Sequence, residues 1–312
     1  NQKGQANAGG LRPGKYYLRE KAFERFLNTR LKVSEKSFTC EEDLKNIQDD
    51  YWCIITGSDQ IWNTECADFS WVYLLKGVTG VKKISYAASM GGKISDRDIY
   101  KNCLSDYDYI SVREDYAVKT IGEMFSQKNL ATVCVDPTLL LDRKDYEKIT
   151  SSRRIEGDYI FFYSVYHDDQ LLHTIRLLRK KWNLPIVTLI SRNNSYKVLF
   201  NGIQLPMYEA PEDFLSYIKY AKFVITNSFH GSVFSIIFEK EFYYLGDYQK
   251  DPRLYQLFTM TGTEDAAISY EQLEKKAALF GTRSGRNLSK EISELRKKSE
   301  EYLMKALVME QE

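Results

Sequence analysis

At 312 residues, 43% of them hydrophobic, the chain can bury a sizeable core, and its length points to two domains rather than one. Its 44 lysines and arginines nearly cancel its 43 aspartates and glutamates. There is no basic excess of the kind a nucleic-acid binder carries, so an anionic ligand must be met by a few placed residues. The cysteines, Cys40, Cys53, Cys66, Cys103 and Cys134, form no CxxC pair, and Cys53 and Cys134 lie in apolar runs. They read as small core residues in a reducing compartment rather than as disulfides or a zinc site. No run of about 18 apolar residues and no signal-peptide pattern occurs, so the expectation is a soluble, cytoplasmic protein without a spanning segment.

The chain opens on NQKGQANAGGLRPG, a glycine-rich polar stretch that reads as a loop. An amphipathic helix is predicted over about 15–31 and a second near 41–48. A series of short β-rich runs comes next: YWCIIT (51–56), VKKISYAAS (81–89), YDYISV (107–112) and ATVCV (131–135), with helices predicted near 96–103 and 114–125. Short apolar runs alternating with helices indicate a parallel sheet covered by helices. The charged stretch DRKDYEKITSSRRIEGD (142–158) lacks an apolar stripe and reads as a linker.

The same grammar then restarts. DYIFFYSV (158–165) is a strand, 168–182 a helix and LPIVTLIS (184–191) a strand. Pro211, Glu212 and Asp213 open another helix with proline and acids in its first turn. KFVIT, a helix near Gly231 and EFYYLG (241–246) complete the pattern, and a charged helix with Ile292, Leu295, Leu303 and Ala306 on one face closes the chain. The expected division is residues 1–148, residues 149–288 and a C-terminal amphipathic helix over 289–312. The expected fold class is α/β, two facing Rossmann-like domains.

Ligands of such sheets bind beyond the carboxyl ends of the strands. Those ends carry GSDQ (57–60), SMGG (89–92), RED (113–115), DPT (136–138), SRNN (191–194) and TNSFHG (226–231). There is no HExxH, no metal-spaced carboxylate cluster and no GxxxxGK[ST] loop, which excludes the usual metal and nucleotide-hydrolysing signatures. TNSFHG holds one of only three histidines. Where a strand turns into a helix, the first N–H groups and the helix dipole favour an anion. Ser228 and Ser232 would add hydroxyls, Gly231 would allow close approach, and His230 could pair with a phosphate or protonate it. Equally, His230 could cap the helix and pack under Phe229. Arg113 could offer a planar fork to an anion or pair with Glu114 or Asp115. Asp59, behind Gly57 and Ser58, could orient a hydroxyl as a base or form an Asx turn. Arg192 and Arg253 are weaker candidates, with surface pairing the default.

IITGSDQIWN (54–63), ISYAASMG (84–91), ISVRED (110–115), VDPTLLL (135–141) and FVITNSFHGSVFSIIFEKEF (223–242) together resemble the polysaccharide pyruvyl transferase family. The resemblance implies a glycosyltransferase-B-like fold of two facing domains, phosphoenolpyruvate as donor, a saccharide acceptor that could be lipid-linked, and a pyruvate ketal as product. Capsule or exopolysaccharide synthesis comes with it, in the cytoplasm or at the inner face of the membrane. It places His230 and Arg113 at the donor site; Gly57, Ser58, Ser228, Phe229, Gly231 and Ser232, from the strand ends themselves, are the candidate substrate-binding residues beside them. No cofactor is implied. It also implies an opening strand and glycine-containing loop that residues 1–50 do not contain, so a preceding segment is expected. Two alternatives stand beside it. A glycosyltransferase taking a nucleotide sugar would want an acidic residue on the ribose, a role for which neither Glu209 nor Glu239 is well placed in the sequence, and a non-catalytic protein would only bind sugar phosphates.

Overall fold

The structure is a computed structural model and describes residues 13–38, 40–92, 94–128, 130–164, 169–189, 199, 201–281, 285–286 and 288–308. In chain order the elements are α1 (Pro13–Arg30), β1 (Cys53–Thr56), β2 (Lys82–Ser85), α2 (Arg97–Leu104), β3 (Ile110–Val112), α3 (Asp115–Phe125), β4 (Ala131–Val133) and α4 (Arg143–Ile149). Then come β5 (Ile160–Tyr163), α5 (Asp169–Trp182), β6 (Ile186–Val187), α6 (Pro211–Tyr220), β7 (Phe223–Thr226), α7 (Phe229–Ile237), β8 (Phe242–Leu245), α8 (Pro252–Thr261), β9 (Ala267–Ile268), α9 (Tyr270–Lys276) and α10 (Ser289–Leu307).

They form two compact units. One comprises Ser34–Leu141, Tyr248–Glu264 and the chain from Leu288; the other comprises α1, Asp142–Asp247 and Asp265–Asn287. The chain therefore crosses repeatedly between units rather than dividing once at 148/149. The main boundary falls at 141/142 because the stretch read as a linker begins with a helix of the second unit. Asp142 caps α4 by accepting from the Asp145 N–H, and Tyr146 is buried with its ring 5.1 Å from that of Phe234. A single buried aromatic among charged residues leaves no stripe to read. The C-terminal helix α10 belongs to the first unit: Ser299 Oγ accepts from Val135 N at 3.0 Å, and Tyr302 donates to the Ser85 carbonyl at 2.8 Å.

In the first unit β1 pairs with β2 and β3 with β4, all parallel, and bridges Ile84–Tyr109 and Ala88–Val112 join them in the order β1-β2-β3-β4. Trp62, Leu74, Tyr100, Ile110, Val112 and Ile121 fill its core. The helix expected near 41–48 is two 3₁₀ turns, Glu41–Leu44 and Ile47–Asp49, that bury Leu44 and Ile47.

The second unit holds a fully parallel sheet in the order β6-β5-β7-β8-β9. Its inner strands are apolar on both faces, as sheets covered by helices require. Phe223, Val224, Ile225 and Thr226 of β7 are all buried. The apolar residues of α1 do not gather on one buried side: Tyr17, Leu18, Phe23 and Leu27 are exposed. The strand expected over 184–191 is seen as β6 alone, and the segment with Arg192 lies outside the described residues.

Candidate functional site

In the five-stranded sheet the order reverses between β5 and β7: the chain goes outward to β6, then returns to the other side of β5. Such a topological switch point opens a crevice beyond the carboxyl ends of the strands, where α/β sheets bind ligands. TNSFHG begins at the end of β7, at that point. Ser228 caps α7, its Oγ accepting from Gly231 N at 3.3 Å, and its own N–H donates to Thr226 Oγ1 at 3.0 Å. Asn227 Nδ2 donates to Ser164 Oγ at 2.8 Å, tying the end of β7 to the end of β5. His230 stands half-buried in the first turn of α7, its ring edge-on to Phe229 at 5.2 Å.

The neighbours of His230 serve that geometry. Ser232 is fully buried and donates to the Ser228 carbonyl at 3.1 Å, so its hydroxyl belongs to the helix. Phe229 is buried. A Cβ on Gly231 would fall 2.3 Å from Thr226 Oγ1 and 3.1 Å from the Tyr163 ring. Glycine is thus needed to seat the helix against its own strand, a reason independent of any ligand. Asn227 and Ser164 were not singled out from sequence; their place beside the reversal depends on strand order, which sequence spacing does not carry.

The first unit gathers its strand-end residues around Arg113. Its side chain is 2% exposed and meets three carboxylates: Asp59 at 3.2 Å from Nη2, Glu114 at 3.7 Å from Nε, and Asp136 in a closer contact with Nη1. Asp136 is held in turn by Thr138, which donates through N at 3.0 Å and Oγ1 at 2.6 Å. Glu114 is buried, and neither of its carboxylate oxygens makes a hydrogen bond of ordinary length. Burial pushes its carboxyl above the usual carboxylate range, and the nearby Ser89 hydroxyl and the Arg113 charge draw it part of the way back.

Asp59 differs from its fellows. Its side chain is 59% exposed, yet its backbone is locked. The preceding Ser58 donates to Ala87 O at 2.7 Å, Asp59 O accepts from Ser89 N at 2.9 Å, and its φ of +59° is a left-handed conformation that aspartate tolerates. Gly57 lets this turn lie against β2's extension, since a Cβ there would sit 2.0 Å from Tyr86 O. The turn ends on Trp62, wholly buried, whose Nε1 donates to Tyr73 O at 3.1 Å.

Arg253, in the first turn of α8, reaches the same edge. Gln256 of α8 accepts from Asp115 N at 3.4 Å, beside the end of β3. Arg253 is gripped by Asp251 through Nε at 3.0 Å and Nη2 at 2.7 Å. Burial works against its charge, but Asp251, then Asp59 and Glu114, hold its pKa above the ordinary value. Spacing alone gave a surface pair; the return of residues 248–264 to the first unit is what brings it here. Among the described residues no group of three or more His, Cys, Asp or Glu is placed to hold a metal, and no helix is long and apolar enough to cross a membrane.

Parallel sheets in two Rossmann-like units, with polar residues collected at the carboxyl strand ends, define a glycosyltransferase-B-like fold. Solved structures of UDP-N-acetylglucosamine 2-epimerases are similar in fold. That from Methanocaldococcus jannaschii, in complex with UDP-GlcNAc and UDP, is 14% identical with a TM-score of 0.50 over 90% of this chain and 88% of that one. Those from Neisseria meningitidis and Rickettsia bellii are 10% and 12% identical, with TM-scores of 0.55 and 0.53, covering 92% and 94% of this chain and 89% and 87% of theirs. At such identities the likeness is one of fold alone. No curated protein matches the sequence. The family is defined by sequence: the profile of polysaccharide pyruvyl transferases matches residues 12–247, and the chain belongs to that family and is a transferase.

Proposed function

We propose that the protein transfers pyruvate from phosphoenolpyruvate to a saccharide, forming a cyclic ketal, in the cytoplasmic synthesis of a capsule or exopolysaccharide. The observation that carries this is His230, half-buried in the first turn of α7 at the β5/β7 reversal. A helix start favours a phosphate, and an imidazole there supplies a proton that backbone amides lack.

The reaction moves two protons. One goes to the methylene carbon of the donor, turning CH₂ into CH₃ and making C2 electrophilic; a sugar hydroxyl adds to C2 and gives up its proton. The C2–O bond to phosphate then breaks, a second hydroxyl closes the ring, and its proton leaves with phosphate. His230 is the acid toward the donor, and Asp59 draws a proton from the acceptor. Among the rival readings, a nucleotide-sugar donor would want an acid for the ribose diol. Glu209 instead faces Arg19 at 3.7 Å, and Glu239 faces Arg143 at 3.1 Å.

The test is the melting temperature with phosphoenolpyruvate, with UDP and with neither, for wild type and His230→Ala. A ligand at about 100 times its dissociation constant adds about 2.7 kcal/mol to the folded state. A rise with phosphoenolpyruvate that is lost in His230→Ala, with turnover reduced about 10²–10⁴-fold, is expected. A rise with UDP alone overturns the reading.

A further inference from the structure

We infer that a basic cleft at the amino edge of the five-stranded sheet binds a phosphoryl group carrying at least two negative charges, borne on a small organic molecule or on a lipid. The cleft belongs to the second unit alone and is independent of the pyruvyl-transfer reading. Leu184 and Pro185 enter β6 through it, whereas TNSFHG leaves β7 at the opposite, carboxyl edge.

Charge is the first observation. The cleft, of about 590 Å³, is lined by Arg176, Arg179 and Lys180 of α5, and no carboxylate lines it among the described residues. All three side chains are exposed, and none meets an acid among the described residues. Spacings of three and four put them on one helix face, where like charges oppose the helix. On α1, α4 and α10 the same spacings hold opposite charges together: Lys21 with Glu24, Arg143 with Glu147, and Lys297 with Glu301. Cations in a last turn complement the helix dipole, which accounts for Arg179 and Lys180 but not for Arg176 a turn earlier.

The second observation is a frame that stands without a ligand. Asn183 ends α5 in a left-handed conformation, φ +50°, its N–H donating to the Arg179 carbonyl at 3.0 Å. The turn at Gly202, φ +70°, lines the same cleft. The chain beyond it is held against β6, with Gln204 N donating to Ile186 O at 2.8 Å and Thr188 N to Gln204 O at 3.0 Å. A Cβ on Gly202 would fall 2.3 Å from Arg179 Nη1, so glycine there leaves the guanidinium room against the backbone. Size is the third observation. The volume lies within the range of small-molecule sites, about 300–1,000 Å³, and exceeds what a bare phosphate fills. Two guanidinium forks suit phosphoryl oxygens, and Lys180 adds a point charge. The Asn183 amide and the apolar Leu184 and Pro185 are left for the rest of the ligand.

Inorganic pyrophosphate, titrated calorimetrically into the whole chain, tests this. The proteins are wild type, Arg176→Gln/Arg179→Gln, Lys180→Gln, His230→Gln and a control that removes two exposed lysines elsewhere, Lys45→Gln/Lys290→Gln. Charge-assisted hydrogen bonds are strong enough that losing both arginines should weaken binding about tenfold or more, and losing Lys180 should weaken it less. His230→Gln and the lysine control should stay within twofold of wild type. Cosedimentation with phosphatidylcholine vesicles, with and without phosphatidic acid, identifies the source of the phosphoryl group. Capture that needs both phosphatidic acid and the two arginines gives a lipid headgroup; pyrophosphate binding without capture gives a soluble ligand. A wild type that binds neither probe overturns the inference. So does an arginine variant that keeps the wild-type affinity, a loss equalled by the lysine control, or binding abolished by His230→Gln.

Discussion

Replacing Arg113 by methionine keeps the bulk and removes the cation that Asp59, Glu114 and Asp136 share. Two of those carboxylates are almost wholly buried, Glu114 at 1% and Asp136 at 3% exposure. Removing one partner of a buried ion pair destabilises by about 3–5 kcal/mol, because the other charge is left in a poor solvent. Two are left here, so Arg113→Met belongs at the top of that range, about 5 kcal/mol at pH 8. The loss depends on pH in a direction set by Glu114. Its carboxyl is already raised in the folded state by burial, so the folded protein holds that proton more tightly than the unfolded chain. Stability from this group is full below the ordinary carboxylate range and is lost as pH climbs through the raised value. Without the Arg113 charge the raised value moves higher still, and the window extends toward neutrality. Urea unfolding followed by tryptophan fluorescence, with Trp62 buried in the unit's core, should therefore show the largest deficit at pH 8 and a smaller one at pH 5. Arg113→Lys, which keeps a charge without the fork, should fall between. A deficit below about 1 kcal/mol at pH 8, or one equal at both pH values, would refute the idea that this arginine anchors the edge.

Gly231→Ala should destabilise by about 1–3 kcal/mol through overpacking, since the added carbon meets Thr226 Oγ1 at 2.3 Å, and a melting curve reads it directly. Its activity should fall with it, because the helix turn that carries His230 must shift. Lys240→Met should raise the melting temperature at pH 7. Burial, then the charges of Arg143, Arg153 and Lys222, depress the Lys240 amine, so the charged form opposes folding until pH approaches its ordinary value. The variant should therefore lose the wild type's gain in stability at alkaline pH, and a variant with an unchanged pH profile counts against that assignment.

Much of the fold was legible from pattern alone. Short buried strands such as FVIT and FYYL, and helices opened by Pro211 or carrying Leu171, Leu172 and Ile175 on one face, are written in local periodicity. Elements that depend on a distant partner were not. Ala267–Ile268 is a two-residue strand that exists only because Tyr244 and Leu245 pair with it. The capped helix Arg143–Ile149 hides one buried tyrosine among charges, and α1 leaves its apolar residues exposed instead of forming the expected buried stripe. Contacts across long sequence separations brought Arg253 to the first sheet's edge, and no spacing rule carries that information.

The site motifs were easy to find and hard to apportion, for a physical reason. A sharp turn at a strand end needs glycine where backbones touch, a small hydroxyl to bond a carbonyl, and a buried aromatic to anchor the chain beyond it. GSDQIW supplies all three through Gly57, Ser58 and Trp62, which leaves Asp59 as its chemical group. TNSFHG spends Thr226, Ser228, Gly231 and its neighbour Ser232 on seating α7, which leaves His230. In the sequence the same hydroxyls and glycines fit a ligand contact and a tight turn equally well, because the same residue types serve both ends. The hydrogen-bond partners show that these hydroxyls seat the turns, and each motif also carries one accessible, titratable side chain, Asp59 or His230. On the proposed pyruvyl-transfer reading these are the base and the acid, so substitutions at Asp59 and His230 should change turnover while leaving the fold in place.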